Sequence, residues 1–267
     1  MNLSEKIARF AELHVKGAPL VLYNAWDAGS AKSILAAGAQ AIATSSWSVA
    51  EAQGYRDGEL IPRELVETIA SRIVSTIDAP VSVDFEGGYS EDDGELVENV
   101  SRLLDIGIVG INFEDRVVRG AGLYDPQRQA RRIAAIRRAA ERKGIALFIN
   151  ARTDLFLGQG GSVADALERA KAYATAGASG FFIPGLTTES HIGRVCESVE
   201  LPVNVMIMDG VPPMEQLHAL GVSRISYGPL PYINAMSALK EQAQKALPLP
   251  YATSMNVVKE IAAKLRG

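Results

Sequence analysis

The chain alternates between short apolar runs and longer stretches in which apolar side chains return at helical spacing. The apolar runs are rich in β-branched and aromatic residues, which is typical of buried strands. They predict eight strands, at residues 20–23, 41–44, 81–85, 109–113, 147–150, 180–183, 203–207 and 225–227. The stretches between them predict helices at residues 30–37, 63–76, 96–106, 127–143, 163–176, 189–199, 214–220 and 233–246.

Glycines mark the return from helix to strand. Gly38, Gly107, Gly177 and Gly221 each precede a predicted strand by a few residues, where glycine commonly ends a helix in a left-handed conformation. Eight strand–helix units joined by short returns favour a closed barrel over an open sheet. The pattern therefore predicts the α/β class and a (β/α)₈ TIM barrel.

Three segments lie outside the repeat. Residues 4–15 predict an extra amino-terminal helix, which we expect to close the bottom of the barrel. Residues 46–61 predict a loop between the second and third strands, with the next helix beginning at Pro62. After Pro248 and Pro250, residues 253–265 predict a separate carboxyl-terminal helix. No shift in composition divides the chain, so a single domain over residues 1–267 is expected.

Composition narrows the classes of partner. The 267 residues suit a barrel of this type, and 48% of them are hydrophobic, enough for a large core. A net charge of −4 without basic clusters argues against nucleic acid and anionic membranes. The single cysteine, Cys196, excludes an intrachain disulfide, and the amino terminus lacks an apolar signal segment. A soluble cytoplasmic protein without a membrane span is expected.

Carboxylates follow two neighbouring strands where ligands collect in a barrel. Asp84 and Glu86 lie two residues apart on an extended segment, and Glu114 ends the next strand. Such acids repel one another unless a cation neutralises them, and oxygen donors suit Mg²⁺. The alternative is that Asp84 or Asp115 caps a helix, as Asp27 is expected to do. Two strands with the same pattern favour a site.

Other strand ends supply donors for anions. Arg152 ends an apolar strand, and its planar fork could bind a substrate carboxylate or could pair with Asp154. Ser45, Ser46 and the amide groups beside Trp47 could hold an oxyanion. The three histidines all fall on predicted helices, so neither a histidine base nor a zinc site is expected. The glycine-containing segment 119–124 is either a mobile lid or an ordinary turn.

Five segments in this order resemble the isocitrate lyase/phosphoenolpyruvate mutase superfamily. They are TSSWSVAEAQGYRD (44–57), VDFEGGY (83–89), GINFED (110–115), ARTD (151–154) and LGVSRISYG (220–228). The resemblance runs from about Leu20 to Leu239 and covers most of the chain. It implies a (β/α)₈ barrel that binds Mg²⁺, with Mn²⁺ as an alternative ion, together with a 2-oxo acid or its enolate.

The resemblance also implies roles for individual residues. Asp84 resembles the direct metal ligand, and Glu86 and Glu114 resemble acids that hold the metal through waters. Arg152 resembles the carboxylate clamp. The remaining candidates resemble an acid beside the substrate (Asp57), the hole for the enolate oxygen (Ser45 with the amides of Ser46 and Trp47) and a substrate-binding residue (Asn204). Members of the superfamily commonly exchange the last barrel helix and form homotetramers, as dimers of dimers.

Departures from the superfamily patterns limit the substrate. The lid reads Arg119-Gly-Ala-Gly122, without the Lys-Lys-Cys-Gly of isocitrate and methylisocitrate lyases. Pro184 and Asn234 stand where those lyases have a glutamate and an arginine, so a tricarboxylate is not expected. Phosphoenolpyruvate mutases typically carry a histidine at the Pro184 position. Arg119 is then the remaining cationic candidate in the lid.

Three functions remain open on these grounds. The leading hypothesis is a Mg²⁺-dependent lyase or decarboxylase that cleaves the bond at C3 of a small 2-oxo or 2-hydroxy acid, through a metal-bound pyruvate enolate. The second is a P–C bond enzyme, either a phosphonomutase or a phosphonopyruvate hydrolase. The third is a non-catalytic metabolite-binding barrel. The third hypothesis would be excluded by a proton donor at Tyr124, Tyr89 or Asp57.

Overall fold

A computed structural model describes residues 1–118, 120–158 and 160–247. It has eight parallel strands in a nearly closed barrel with alternating helices, which confirms the predicted fold class. The strands are β1 (Leu20–Leu22), β2 (Ile42–Ala43), β3 (Val81–Asp84), β4 (Gly110–Glu114), β5 (Phe148–Arg152), β6 (Gly180–Phe182), β7 (Val203–Met206) and β8 (Arg224–Ser226).

Parallel pairing runs around the barrel in the order β1-β8-β7-β6-β5-β4-β3-β2. The two ends of this sheet meet through a parallel bridge between Ala25 and Thr44, where the Ala25 amide donates to Ala43 at 2.8 Å. Strand boundaries lie within about two residues of the predicted ones, because each strand is a short apolar run bounded by glycine or polar residues.

Nine helices accompany the barrel strands within the described residues up to Pro229, and one follows. They are α1 (Leu3–Glu12), α2 (Ala28–Ala36), α3 (Ser46–Ala52), α4 (Arg63–Thr76), α5 (Asp93–Ile106), α6 (Pro126–Arg142), α7 (Val163–Thr175), α8 (Glu189–Ser198), α9 (Met214–Ala219) and α10 (Leu230–Ala246). Residues Met1–Pro229 form one compact unit, and a second begins at Leu230. The single domain over 1–267 stays a prediction.

The local sequence explains where the helices begin and end. Asp27 caps α2 by accepting from the Ser30 amide at 2.7 Å, as predicted. Asp92 and Asp125 cap α5 and α6 in the same way. Gly107 ends α5 with φ of +96°, a left-handed conformation that favours glycine. The three aspartates accept from amides that the first turn of a helix leaves without a partner.

The prediction of a loop throughout 46–61 was wrong, because the short helix α3 occupies Ser46–Ala52. Ser45 caps it, and Val49 and Ala50 are buried on its inner side. Seven residues give too short a periodic pattern for detection in the sequence. Helix α4 follows at the predicted place, directly after Pro62. The predicted helix at 253–265 lies outside the described residues.

The amino-terminal helix closes the barrel from below, as expected. Phe10 on α1 is fully buried and packs in a small cluster with residues at or just before the starts of strands, among them Leu20, Val109 and Phe148. Helices α2–α9 accompany a larger apolar core around the strands. No helix among residues 1–118, 120–158 and 160–247 is long and apolar enough to cross a membrane.

His14 follows α1 and is buried in this lower cluster. Its ring stacks on Phe148 with the centroids 4.0 Å apart, and its Nδ1 lies 2.7 Å from the Phe10 carbonyl oxygen. Burial lowers the pKa of His14 from 6.5 to about 3, and the positive charge of Arg224 acts in the same direction. The folded protein therefore keeps His14 neutral under mildly acidic conditions.

We expect His14 to make the protein sensitive to acid. In the unfolded chain His14 is protonated below pH 6.5, whereas in the folded chain it is protonated only below about pH 3. Because the unfolded chain binds this additional proton, the unfolding free energy falls by about 1.4 kcal/mol for each pH unit below 6.5. Above pH 6.5 His14 is neutral in both states, and it causes no such loss of stability. Urea denaturation at several pH values should show this slope reduced in His14→Leu and unchanged in His191→Leu, an exposed histidine on α8. Equal slopes in all three proteins would contradict this account.

Candidate active site

Asp84 ends β3 and is held on both carboxylate oxygens. Its Oδ2 accepts from the amide and the hydroxyl of Ser46, at 3.1 and 2.9 Å, and its Oδ1 accepts from Asn112 Nδ2 at 3.2 Å. The Asp84 amide donates to Thr44 Oγ1 at 3.0 Å. Neighbouring β2, α3 and β4 thus fix the orientation of this carboxylate at the carboxyl end of the barrel.

Glu86 lies just beyond β3 and is buried. Its Oε1 accepts from the amides of Gly58 and Glu59, at 2.9 and 3.0 Å, and the Tyr89 hydroxyl donates to its Oε2 at 3.2 Å. Its φ of +49° is a left-handed conformation that costs a glutamate roughly 1–2 kcal/mol. Burial, with the charges of Asp57 and Asp84, raises the pKa of Glu86 to about 8. The loop that follows α3 therefore docks onto this carboxyl group.

Glu114 and Arg152 face each other across β4 and β5, where they are register partners. Arg152 Nη1 lies 3.2 Å from Glu114 Oε2 and 3.9 Å from Asp84 Oδ1. Its Nε and Nη2 donate to the two carboxylate oxygens of Asp154, at 2.6 and 3.0 Å. Burial acts to lower the pKa of the Arg152 guanidinium, but the surrounding carboxylates, Glu114 first, raise it well above its usual value. Arg152 is a largely buried cation among three carboxylates.

The alternative partner that the sequence left open for Arg152 is therefore present. Asp154 occupies one side of the guanidinium fork, and only Nη1 turns toward Asp84 and Glu114. Burial raises the pKa of Glu114 well above its usual value, although the positive charge of Arg152 opposes this. Binding of a substrate carboxylate by Arg152 stays a prediction. Only Nη1 is available for it, because Nε and Nη2 hold Asp154.

Asp57 lines a cavity of about 430 Å³ at the mouth of this cluster, together with Trp47, Glu114 and Arg116. The protein around Asp57 and the charge of Asp84 raise the pKa of its carboxyl group. Asp57 thus lies beside the predicted cluster of acids, and it is exposed, whereas Glu86 and Glu114 are buried. The cavity is large enough for a small organic acid.

The acids do not form a direct three-ligand metal centre. Among the described residues, no three Asp, Glu, His or Cys side chains are placed to bind one ion together. Both oxygens of Glu86 accept hydrogen bonds, and Glu114 pairs with Arg152. Mg²⁺ is commonly held by one or two carboxylates, with waters and substrate completing its shell. The arrangement fits an ion bound directly by Asp84, with Glu86 and Glu114 as more distant carboxyl groups.

Ser45 and Ser46 make structural hydrogen bonds that the sequence did not predict. Ser45 Oγ accepts from the Ser48 amide at 3.4 Å as the cap of α3. The Ser46 amide, expected to face an enolate oxygen, donates to Asp84 instead. Trp47 lines the cavity beside Asp57. The oxyanion role of these three residues stays a prediction.

Two further candidates lie away from the cavity. Asn204 is fully buried, and its amide exchanges hydrogen bonds with Ser226 Oγ at 3.2 and 3.3 Å. Asp115 is neither a helix cap nor exposed to the site, because its carboxylate accepts from Arg169 at 2.9 Å and from Tyr173 at 2.8 Å. Asp115 anchors the end of β4 to α7. Substrate binding by Asn204 stays a prediction.

Arg116 is a site residue that sequence reasoning missed. Arg119, the predicted lid cation, lies outside the described residues. Arg116 directly follows Glu114 and Asp115 and is exposed, and its side chain makes no hydrogen bond or ion pair with any residue that the structure describes. It lines the cavity of Asp57 and also a second cavity of about 430 Å³ beside Asp154. Its position next to the GINFED segment was the available signal.

Comparison with known proteins decides the family. Residues 10–247 match the family model for phosphoenolpyruvate phosphomutase. The chain belongs to this family. Its barrel also matches a crystal structure of a proposed phosphonomutase from Burkholderia cenocepacia J2315, with a TM-score of 0.88 and 43% identity over 91% of this chain and 99% of that one.

The phosphoenolpyruvate phosphomutase family joins lyases and phosphonomutases in one superfamily, as the sequence resemblance indicated. The chain is 27% identical over 257 residues to 2-methylisocitrate lyase from Escherichia coli K12, which is 92% of this chain and 86% of that enzyme. A phosphonopyruvate hydrolase solved with oxalate and Mg²⁺ shares the fold, with a TM-score of 0.80 and 20% identity over 98% and 96% of the two chains. The protein is an enzyme of this superfamily.

Proposed function

We propose that the protein is a Mg²⁺-dependent lyase that cleaves the bond at C3 of a small 2-oxo or 2-hydroxy acid and forms the pyruvate enolate. The observation that carries this proposal is the fixed Asp84 carboxylate beside Arg152 Nη1, which also contacts Glu114, a residue that lines the cavity together with Asp57. An anion-binding cation and a metal-binding carboxylate 3.9 Å apart suit the adjacent carboxylate and carbonyl oxygens of a 2-oxo acid.

Each residue then has a defined task. Asp84 would hold the ion, and Arg152 would fix the substrate carboxylate through Nη1. When bound, Mg²⁺ supplies a Lewis acid that polarises the carbonyl group and stabilises the negative charge that develops on its oxygen. Trp47 and Val118 wall the cavity and limit access of water to the reacting bond.

Asp57 is the best of the three candidate proton donors. The Tyr89 hydroxyl donates a hydrogen bond to Glu86, and burial raises the pKa of Tyr89. The Tyr124 hydroxyl is buried without a hydrogen-bond partner among the described residues, and its ring packs against the Arg132 guanidinium. Asp57 alone of the three lines the cavity. We infer that Asp57 holds the proton that the reaction moves.

A P–C bond enzyme is the second candidate, and Arg116 favours it. A phosphonate carries more negative charge than a carboxylate and requires an additional cation. Arg116 lines the same cavity as Asp57 and Glu114 and is free to bind a ligand. The similarity to a proposed phosphonomutase supports this alternative as well. The same arginine could equally bind the second carboxylate of a dicarboxylate.

Replacing Arg116 with Gln should therefore weaken the binding of any substrate with a distal anionic group. We expect KM to rise about tenfold with little change in kcat, since a charged hydrogen bond at a partly exposed site is worth about 1.4 kcal/mol. Steady-state kinetics on the best substrate would measure this. Arg131→Gln, at an exposed position on α6, is the matched control. An unchanged KM in Arg116→Gln would remove this role.

A panel of substrates tests the proposed reaction. Purified protein with Mg²⁺ would be offered oxaloacetate, alkylated malates and phosphonopyruvate, and pyruvate release would be measured with and without EDTA. Turnover of a C–C substrate that stops with chelator supports the lyase, whereas turnover of phosphonopyruvate favours the second candidate. Metal-dependent binding of these acids without turnover would favour a non-catalytic barrel.

We also propose that the enzyme is a homo-oligomer, a dimer of dimers, in which one copy covers the outer face of β1 in another. Val21 and Tyr23 there are 39% and 40% exposed, and they line an apolar groove of about 540 Å³ between β1 and α2. In a (β/α)₈ barrel a helix normally covers this face. We expect helix α10 of a second copy to cover this face, and a monomer in sedimentation equilibrium of the purified protein would contradict the assembly.

A further inference from the structure

Arg224 is a buried cation without a carboxylate partner. It lies on β8 with a fully buried side chain, and none of the described carboxylates lies within ion-pair distance. Its Nη1 has no hydrogen-bond partner in the described part of the chain, and its Nε lies 3.4 Å from Ser226 Oγ. Burial lowers the pKa of Arg224 to about 9, so the group remains charged at neutral pH. Burying such a cation opposes folding, and stability does not account for it.

The one short hydrogen bond of Arg224 crosses the barrel. Its Nη2 donates to Asn112 Oδ1 at 3.0 Å, although β8 and β4 are not neighbours in the sheet. Asn150 Nδ2 donates to the same oxygen at 2.9 Å. Asn112 Nδ2, on the other side of the amide, donates to Asp84 Oδ1 at 3.2 Å. A line of polar contacts thus leads from Arg224 through Asn112 to the candidate metal ligand.

The chemistry of these groups fixes the orientation of the Asn112 amide. Asn150 could turn its own amide and present an oxygen, but a guanidinium only donates hydrogen bonds. The atom of Asn112 that faces Arg224 must therefore be the oxygen. The NH₂ group then faces Asp84 and donates to it. With the amide reversed, an oxygen would face the Asp84 carboxylate and repel it.

We propose that Arg224 is a positioning residue that fixes the Asn112 amide and, through it, the orientation of the Asp84 carboxylate. Asp84 then accepts from Asn112 on one oxygen and from Ser46 on the other. This inference rests on the proposed role of Asp84 in binding the metal. Arg224 would then affect the metal site through Asn112, without itself contacting the substrate or the ion.

Metal affinity separates this role from a simple effect of charge. The positive charge of Arg224 repels a divalent cation, so loss of that charge alone would tighten metal binding. Loss of the Asn112 orientation would weaken it, because Asp84 would have to be reoriented on binding. The two effects of the substitution Arg224→Met have opposite signs.

The experiment measures Mn²⁺ dissociation constants by electron paramagnetic resonance for the wild type, Arg224→Met, Asn112→Ala and the double variant. We expect Arg224→Met to bind Mn²⁺ at least fivefold more weakly and to unfold at no lower temperature than the wild type. The double variant should bind no more weakly than Asn112→Ala, because Arg224 acts through Asn112. Arg137→Met, which removes bonds to Gly177 and Ser179 outside the barrel, should lower thermal stability and leave Mn²⁺ binding unchanged.

Equal or tighter Mn²⁺ binding by Arg224→Met, or losses that multiply in the double variant, would overturn the proposal. A wild type that binds no Mn²⁺ would overturn the metal role of Asp84 and this inference with it, so that protein is measured first. If Arg224→Met does not fold, Arg224→Gln gives the same comparison. Glutamine accepts hydrogen bonds as readily as it donates them and no longer fixes the Asn112 amide.

Discussion

Replacement of Asp84 by Ala is expected to abolish metal-dependent turnover while leaving the barrel folded. Asp84 is the acid whose carboxylate is oriented by Ser46 and Asn112 at the end of β3, and it is the proposed direct ligand. Without it the ion loses its anchor, and the charge that develops in the transition state loses its main stabilisation. We expect kcat/KM to fall by roughly a thousandfold, measured at saturating Mg²⁺.

Two further variants show whether the loss of activity is due to the missing negative charge of Asp84. Asp84→Asn preserves the shape and removes the charge, so it should be nearly as inactive as Asp84→Ala. Asp78→Ala removes an exposed carboxylate that pairs with the amino terminus and Lys6, and it should retain full activity. Thermal unfolding of each protein checks the fold. Activity in Asp84→Ala at an unchanged Mg²⁺ requirement would show that the metal binds elsewhere.

Replacement of Arg152 by Lys is expected to raise KM about 10- to 100-fold. Arg152 uses Nε and Nη2 to hold Asp154 and turns Nη1 toward Asp84 and Glu114. A lysine ammonium is a point charge and cannot hold Asp154 bidentately while also reaching a substrate carboxylate. The loss of one charged hydrogen bond accounts for an effect of about 1.5–3 kcal/mol.

The matched control is Arg128→Lys. Arg128 contacts both carboxylate oxygens of Asp93 at 2.7 and 2.8 Å, away from the cavity. The same substitution there should leave KM unchanged. An Arg152→Lys enzyme with a wild-type KM would mean that Arg152 is a structural partner of Asp154 and Glu114 only.

The barrel could be predicted from the sequence because its signals are local and repeated. Each strand is a short apolar run, and glycines such as Gly107 end the preceding helix. The helix α3 could not be predicted, since seven residues, two of them serines, show little helical periodicity. Its cap, Ser45, was assigned to the site for its chemistry, and the structure shows that it also begins a helix.

The candidate site was predictable as a set of residues and not as a set of contacts. Strand ends bring Asp84, Glu114 and Arg152 together in any parallel barrel. The sequence did not reveal that Asp154 takes one side of the arginine fork, because that depends on side-chain rotamers. Arg224 was visible only as part of a family segment, and its burial follows from the inward register of β8, which no short pattern indicates.

Binding of oxalate tests the central claim most directly, because oxalate matches the planar oxygens of the pyruvate enolate and no substrate has to be known. Isothermal titration of the wild-type protein with oxalate should show tight binding with Mg²⁺ present and none in EDTA. The same titration should fail in Asp84→Ala and weaken in Arg152→Lys. Oxalate binding that is independent of Mg²⁺, or absent under both conditions, would contradict an enolate-stabilising metal site at the end of β3.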